Sequence, residues 1–404
     1  MAVENPNLLN LLLAYSASHR ARLLSHPEPA NRIALWVRDV FPDLRHALSN
    51  ISSAKVSNAN LATAIMLASL VIISPSSFGV SIPWQNHLSI ARSIIRSRNA
   101  PQSISRTDPV LYFLTRWLAY LDVLGSLSGR RNEEPLFAGN YWASNSASDV
   151  GSVRSLSLES DMEVEDDDYT IDCLLGFTTR CVQILAQVAS LAHACDKHRI
   201  DEQTNQVRAN WRPSQLILDQ ADRLKSDLEH ARDHEQKSCA HHSPVLSKAS
   251  LHGGSSSGHY HSHGTQTPNN GLGSLMTPQE ANEALLTNSA FHWAGLIHLL
   301  RRVHNLPRSD AQVQKAVHEL VKIISEIREG GSAEACLLFP MFSAGVEALE
   351  MNDRELILKR IKSTEMIGMW QVGRARRIME EVWRTGGAWE TVVGKDGEGG
   401  EFFG

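Results

Sequence analysis

Apolar residues recur along most of this chain at three- and four-residue spacing, the period of a helix buried on one face. No convincing run alternates apolar and polar positions as a half-buried strand would. The pattern predicts helices over about 6–24, 30–49, 57–73, 84–98, 109–127, 169–197, 213–236, 278–304, 309–329, 333–350 and 353–385. Asn5-Pro6 and Asp108-Pro109 each place a capping side chain before a proline at the first helical position. Thr277-Pro278-Gln279-Glu280 adds a capping box, and Ser309 with Gln312 and Asn352 with Glu355 resemble two more. The stretch 57–73 is apolar on every face, through Leu61, Ile65, Met66, Leu67, Leu70, Val71 and Ile73. A helix of that kind is enclosed on all sides, so it should form the centre of the N-terminal half.

Two breaks in composition divide the pattern. Residues 144–168 are serine-rich and then acidic, and 238–276 are rich in His, Gly and Ser. Neither can bury enough apolar area to offset the ordering of its backbone, so both are expected to be flexible. The expected organisation is an N-terminal helical part (1–143), the first insertion, central helices (169–237), the second insertion, a C-terminal helical part (277–386) and a flexible tail (387–404). No fixed internal period argues for a repeat solenoid. The expected fold is all-α, with about ten or more antiparallel helices packed as hairpins around a long core.

Bulk properties narrow the function. The 404 residues carry 39 Lys+Arg against 44 Asp+Glu, a net charge of -5, which argues against a surface built to neutralise nucleic-acid phosphates. The start of the chain lacks a basic n-region, and the apolar run Leu61 to Ile73 is too short for a membrane span, so a soluble intracellular protein is expected. The five cysteines, Cys173, Cys181, Cys195, Cys239 and Cys336, form no Cys-x2-Cys pair and no disulfide framework.

Candidate chemistry is sparse. His230 and His234 share a helix face, and Cys239 and His241 follow, but the Gly/Ser surroundings offer no fixed metal geometry. A solvated low-complexity tract is the preferred reading. Asp167, Asp168 and Asp172 match the D-D-x-x-x-D spacing of magnesium-binding acids in prenyl-diphosphate enzymes. The partner motif is missing, because Leu356 stands where Ser or Thr is needed after Asn352-Asp353, so the acids read as a charged linker entering a helix. Leu127 occupies the nucleophile position of Gly125-Ser126-Leu127-Ser128-Gly129, and Gly394-Lys395 lacks the rest of a phosphate loop. The acidic-hydrophobic segment Leu156 to Val164 has the composition of an activation segment but reads as a plain acidic loop. The basic run from Arg354 to Arg384 reads as a solvated face. No residue is assigned a catalytic or metal-ligating role, no cofactor-binding residue is identified, and the chain is not expected to be an enzyme.

Several stretches resemble the fungal-specific transcription factor domain, the helical region that follows a six-cysteine zinc cluster in fungal regulators. They are Leu11 to Arg20, Leu61 to Ala64, Trp84 to Leu88, Arg116 to Gly129, Asp172 to Thr178, Phe291 to Leu299 and Phe339 to Gly345. The resemblance implies an all-helical regulatory domain working in the nucleus and controlling RNA polymerase II transcription. It implies partners among the transcription machinery or co-regulators, homo- or heterodimers with related factors, and a small effector held between helices such as 57–73, 169–197 and 278–304. The family's zinc-binding, base-reading cluster has no counterpart here. Zinc is therefore expected only in an upstream cluster, and direct nucleic-acid or membrane contact is not expected. Either an upstream exon supplies the reader or this is a natural form without one. The competing reading is a helical scaffold protein with no DNA-linked role.

Overall fold

The computed structural model describes residues 1–49, 57–75, 83–97, 108–129, 168–172, 175–238, 277–393 and 401–404. These residues are overwhelmingly helical, so the fold class is all-α as expected. The segments 144–167 and 239–276 lie outside the described residues.

The N-terminal half holds α1 (Pro6–Leu23), α2 (Ala30–Val37), α3 (Val40–Ser49), α4 (Asn58–Ile73), α5 (Trp84–Ser97) and α6 (Pro109–Ser128). The caps do what their residue types predict. Asn5 Oδ1 accepts from the Leu8 amide at 2.9 Å, and Asp108 Oδ1 accepts from the Leu111 amide at 2.9 Å. Asp108 also accepts from Asn58 Nδ2 at 3.0 Å, tying the start of α6 to the start of α4. Helix α4 is buried at every position from Leu61 to Ile73 and packs against α1, α3, α5 and α6. Each enclosed Leu or Ile there contributes about 1.5–3 kcal/mol through removal from water, which makes α4 the centre of this half.

Next come α7 (Thr179–Arg199) and α8 (Gln215–Asp233), then α9 (Pro278–His298), which continues into a π-helical turn, Leu299–Val303. The C-terminal elements are α10 (Ala311–Glu326), the single turn α11 (Ser332–Ala335), α12 (Leu338–Glu347), α13 (Met351–Glu365), α14 (Trp370–Thr385) and the short α15 (Trp389–Val393). Two-residue strands β1 (Thr170–Ile171) and β4 (Lys237–Ser238) pair in parallel, so the residues flanking both low-complexity segments meet at one place. Strands β2 (Ile200–Asp201) and β3 (Gln206–Val207) make a small antiparallel turn after α7.

Several predicted boundaries are corrected. Residues 169–172 and 175–178 are not helical. The Asp172 carboxylate accepts from the Leu175 amide at 3.1 Å, a turn forms, and Thr178 caps α7 through the Cys181 amide at 3.1 Å. The cap of α10 is Asp310 rather than Ser309, because Asp310 Oδ1 takes the Gln312 amide at 2.8 Å. Helix α13 starts at Met351, ahead of Asn352, with no side-chain cap. The stretch 353–385 is two helices. Gly368 stands between them at φ +82, where an added Cβ would lie 2.7 Å from the Leu23 backbone nitrogen at the end of α1. The chain turns there because only glycine combines that dihedral with that proximity. The tail expected to be flexible from 387 contains α15, and Phe402 and Phe403 are buried. Both pieces carry large aromatic side chains whose burial compensates for ordering the backbone.

Candidate functional site

The densest buried chemistry gathers where the π-helical turn meets α6, α7 and α15. Helix α9 reaches it by close approach to α7: a Cβ on Gly295 would lie 2.5 Å from Leu185 Cδ2. The wider π turn then carries Arg302 into the interior, with Arg301 half-buried beside it. Arg302 is 3% exposed and donates to Asp196 Oδ2 through Nη2 at 2.7 Å and Nε at 3.0 Å, and to the Leu127 carbonyl at 3.1 Å. Its guanidinium lies over the Trp389 ring, 5.6 Å from the centroid. Arg199 donates to Asp196 at 2.9 Å and to Glu390. Arg301 and Arg308 both pair with the buried Glu347, at 2.8 and 3.1 Å.

Burial alone would raise the Glu390 carboxyl, but the Arg199 and Arg302 guanidiniums beside it outweigh that and hold it at about 2. Burial pulls Arg199 down, and Glu390 and Asp196 more than reverse it. Glu390 and Arg199 are therefore both charged at neutral pH. The network joins the end of α6, the end of α7, the π turn and α15, so it fixes the N-terminal, central and C-terminal helices against one another.

An aromatic ladder runs through the same region. Ring centroids step from Tyr120 to Phe177 (5.8 Å), Phe291 (4.4 Å), Phe339 (6.0 Å), His298 (5.2 Å), Trp389 (5.9 Å), Phe342 (5.4 Å) and Phe403 (4.1 Å). Phe402 meets Tyr120 at 6.3 Å and closes the circuit. His298 Nε2 donates to Ser343 Oγ at 3.0 Å, since that hydroxyl gives its own proton to the Phe339 carbonyl. His292 donates from Nδ1 to the Asn288 carbonyl at 2.8 Å. Burial drives His292 down to about 4 and His298 to about 3, so both rings are neutral.

The sequence candidates fall elsewhere. His230 and His234 lie on and just past α8 with ring centroids 6.1 Å apart, and His234 stacks on Tyr169 at 3.7 Å. Cys239, His241, Asp167 and the segment Leu156 to Val164 lie outside the described residues. Asp172 pairs with Arg116 at 3.4 Å. Among the described residues, no three His, Cys, Asp or Glu side chains group as a metal cage. Part of the basic run is paired with acids of the fold: Arg360 with Glu334, Arg374 with Glu401, Arg376 with Glu365 and Glu380, and Arg384 with Glu381. Helix α6 is long and apolar enough to cross a membrane, but 67% of its apolar window is buried, and Asp122 on it pairs with Arg92. It reads as a core helix. The network around Arg302 escaped sequence reasoning because its members are far apart in the chain, and consecutive arginines on a helix ordinarily read as surface.

The model of the fungal-specific transcription factor domain matches residues 1–397 of the 404. The chain belongs to that family. No curated protein and no solved structure matches it. Membership gives the domain a transcription-regulatory role in a family of regulators rather than enzymes. No zinc cluster is evident in this chain, whose cysteines include no Cys-x2-Cys pair. Arg116 to Gly129 is the largely buried C-terminal part of α6 and its cap, while Phe291 to Leu299 and Phe339 to Gly345 supply the central rungs of the ladder.

Proposed function

We propose that this domain controls RNA polymerase II transcription in the nucleus through protein partners or a small effector, with no base contact of its own. The observation that carries the reading is the family match over nearly the whole chain, in a protein whose buried arginines Arg302 and Arg360 are held in internal ion pairs. The Arg302 network supports a transmitting role. It links three parts of the fold through buried ion pairs, so displacement at one helix end would strain contacts at the others. Dimerisation with related factors would supply the DNA reader.

The test is a fusion of the intact chain to an unrelated DNA-binding module upstream of a reporter in fungal cells. Reporter output should change at least severalfold, in either direction, relative to the module alone. A nuclear, stable fusion that leaves the reporter unchanged would overturn the proposal and favour a scaffold.

A further inference from the structure

The segment Glu401–Gly404 sits in a groove as a bound peptide would. It forms neither helix nor strand, yet Glu401, Phe402 and Phe403 are all buried. The Glu401 carboxylate accepts from Arg374 Nε on α14 at 2.8 Å. Phe402 meets the edge of Trp84 on α5 at 5.5 Å and Tyr120 on α6 at 6.3 Å. Phe403 packs on Phe342 of α12 at 4.1 Å. The groove floor is shaped for backbone: a Cβ on Gly129 would lie 3.1 Å from the Glu401 carbonyl oxygen, and one on Gly404 would lie 2.8 Å from Leu124 Cδ1. Four helices, two from each end of the chain, thus supply a cationic contact, two aromatic seats and a close-fitting floor.

Those are the parts of a peptide-recognition site: anchors in pockets for affinity and one charge for register. The segment follows residues 394–400, four of which are glycine, and the family match ends at 397, before the segment begins.

We propose that this groove is a peptide-binding site for an acidic residue followed by two aromatics, occupied in cis by Glu401-Phe402-Phe403. Its partner in trans is a protein segment of the same chemistry, which competes with the chain's own segment. The inference deepens the reading of control through protein partners.

The test uses the full chain and a fluorescein-labelled peptide of residues 398–404. In F402A/F403A the cis occupant is disabled, and the peptide should bind saturably, with Kd on the order of micromolar. Wild-type chain should bind at least about tenfold more weakly, because its own segment competes at high effective concentration. R374E added to F402A/F403A should weaken binding by about tenfold or more, the worth of a charge-assisted hydrogen bond. Loss of the cooperative thermal transition in F402A/F403A would overturn the proposal, since the phenylalanines would then be a permanent part of the core. A folded double variant without saturable binding would overturn it too, as would wild-type binding of equal strength. Binding is read in vitro, so a silent reporter fusion leaves this result standing and a failed titration leaves the transcriptional reading standing.

Discussion

Burial keeps His292 and His298 neutral, and the fold's acid response follows from that. Their folded-state values, about 4 and about 3, lie below the ordinary 6.5 of an unfolded histidine. The unfolded chain therefore takes up protons first as pH falls. Stability from these groups is complete above about pH 6.5 and is lost on the way down to about pH 4 and below, at about 1.4 kcal/mol per histidine for each unit between its unfolded and folded values. Urea denaturation from pH 7.5 to 4.5 should show this slope. H298Q, which keeps a neutral donor for Ser343, should flatten it, and an unchanged slope would refute the assignment. Glu390 behaves separately. Its carboxyl is held at about 2 against the usual 4.5, so its stabilisation is lost only below about pH 4.5. At the same scale, R302M strips Asp196 of two hydrogen bonds and the Leu127 carbonyl of one. It should destabilise the fold by about 3–5 kcal/mol at neutral pH, read as a lower urea midpoint. A loss under about 1 kcal/mol would mean the remaining partners reorganise around the gap.

Among the elements, the sharpest constraint is the contact of α9 with α7. At Gly295 the two helices approach so closely that even one methyl group meets Leu185. G295A should cost about 1–3 kcal/mol through overpacking, and L185A in the same chain should cost less than its effect alone. Additive losses would show that the two positions do not touch. Capping is the cheaper lesson. D108A removes the Leu111 cap and the Asn58 hydrogen bond together, and should lower stability by about 1–2 kcal/mol. The cap-plus-proline signals at Asn5, Asp108 and Thr277 were legible because they act within one turn and use the residues' own donors and acceptors. Ser309 and Asn352 mislead for the same reason. A local pattern cannot tell which of several adjacent polar residues the backbone will adopt, and Asp310 and the earlier start at Met351 prevailed.

For the whole molecule, helix α4 is the anchor. Enclosure at every position from Leu61 to Ile73 places its amides farthest from water, so they should exchange among the slowest in native-state hydrogen exchange. L67A should create a cavity costing about 2–5 kcal/mol. Rapid exchange across α4 would contradict its central place.

The sequence by itself determined the all-α class, the central position of α4 and the family, because each depends on periodicity, composition or short motifs that survive in one dimension. The tertiary structure alone decided the Arg302 network, the closed aromatic ladder and the seat of Phe402 and Phe403. Those contacts join residues as far apart as Tyr120 and Phe402, or Asp196 and Arg302. A charge or an aromatic ring in the sequence carries no mark of its eventual partner. Only packing brings the partner within a few ångströms, where desolvation makes the pairing strong and specific.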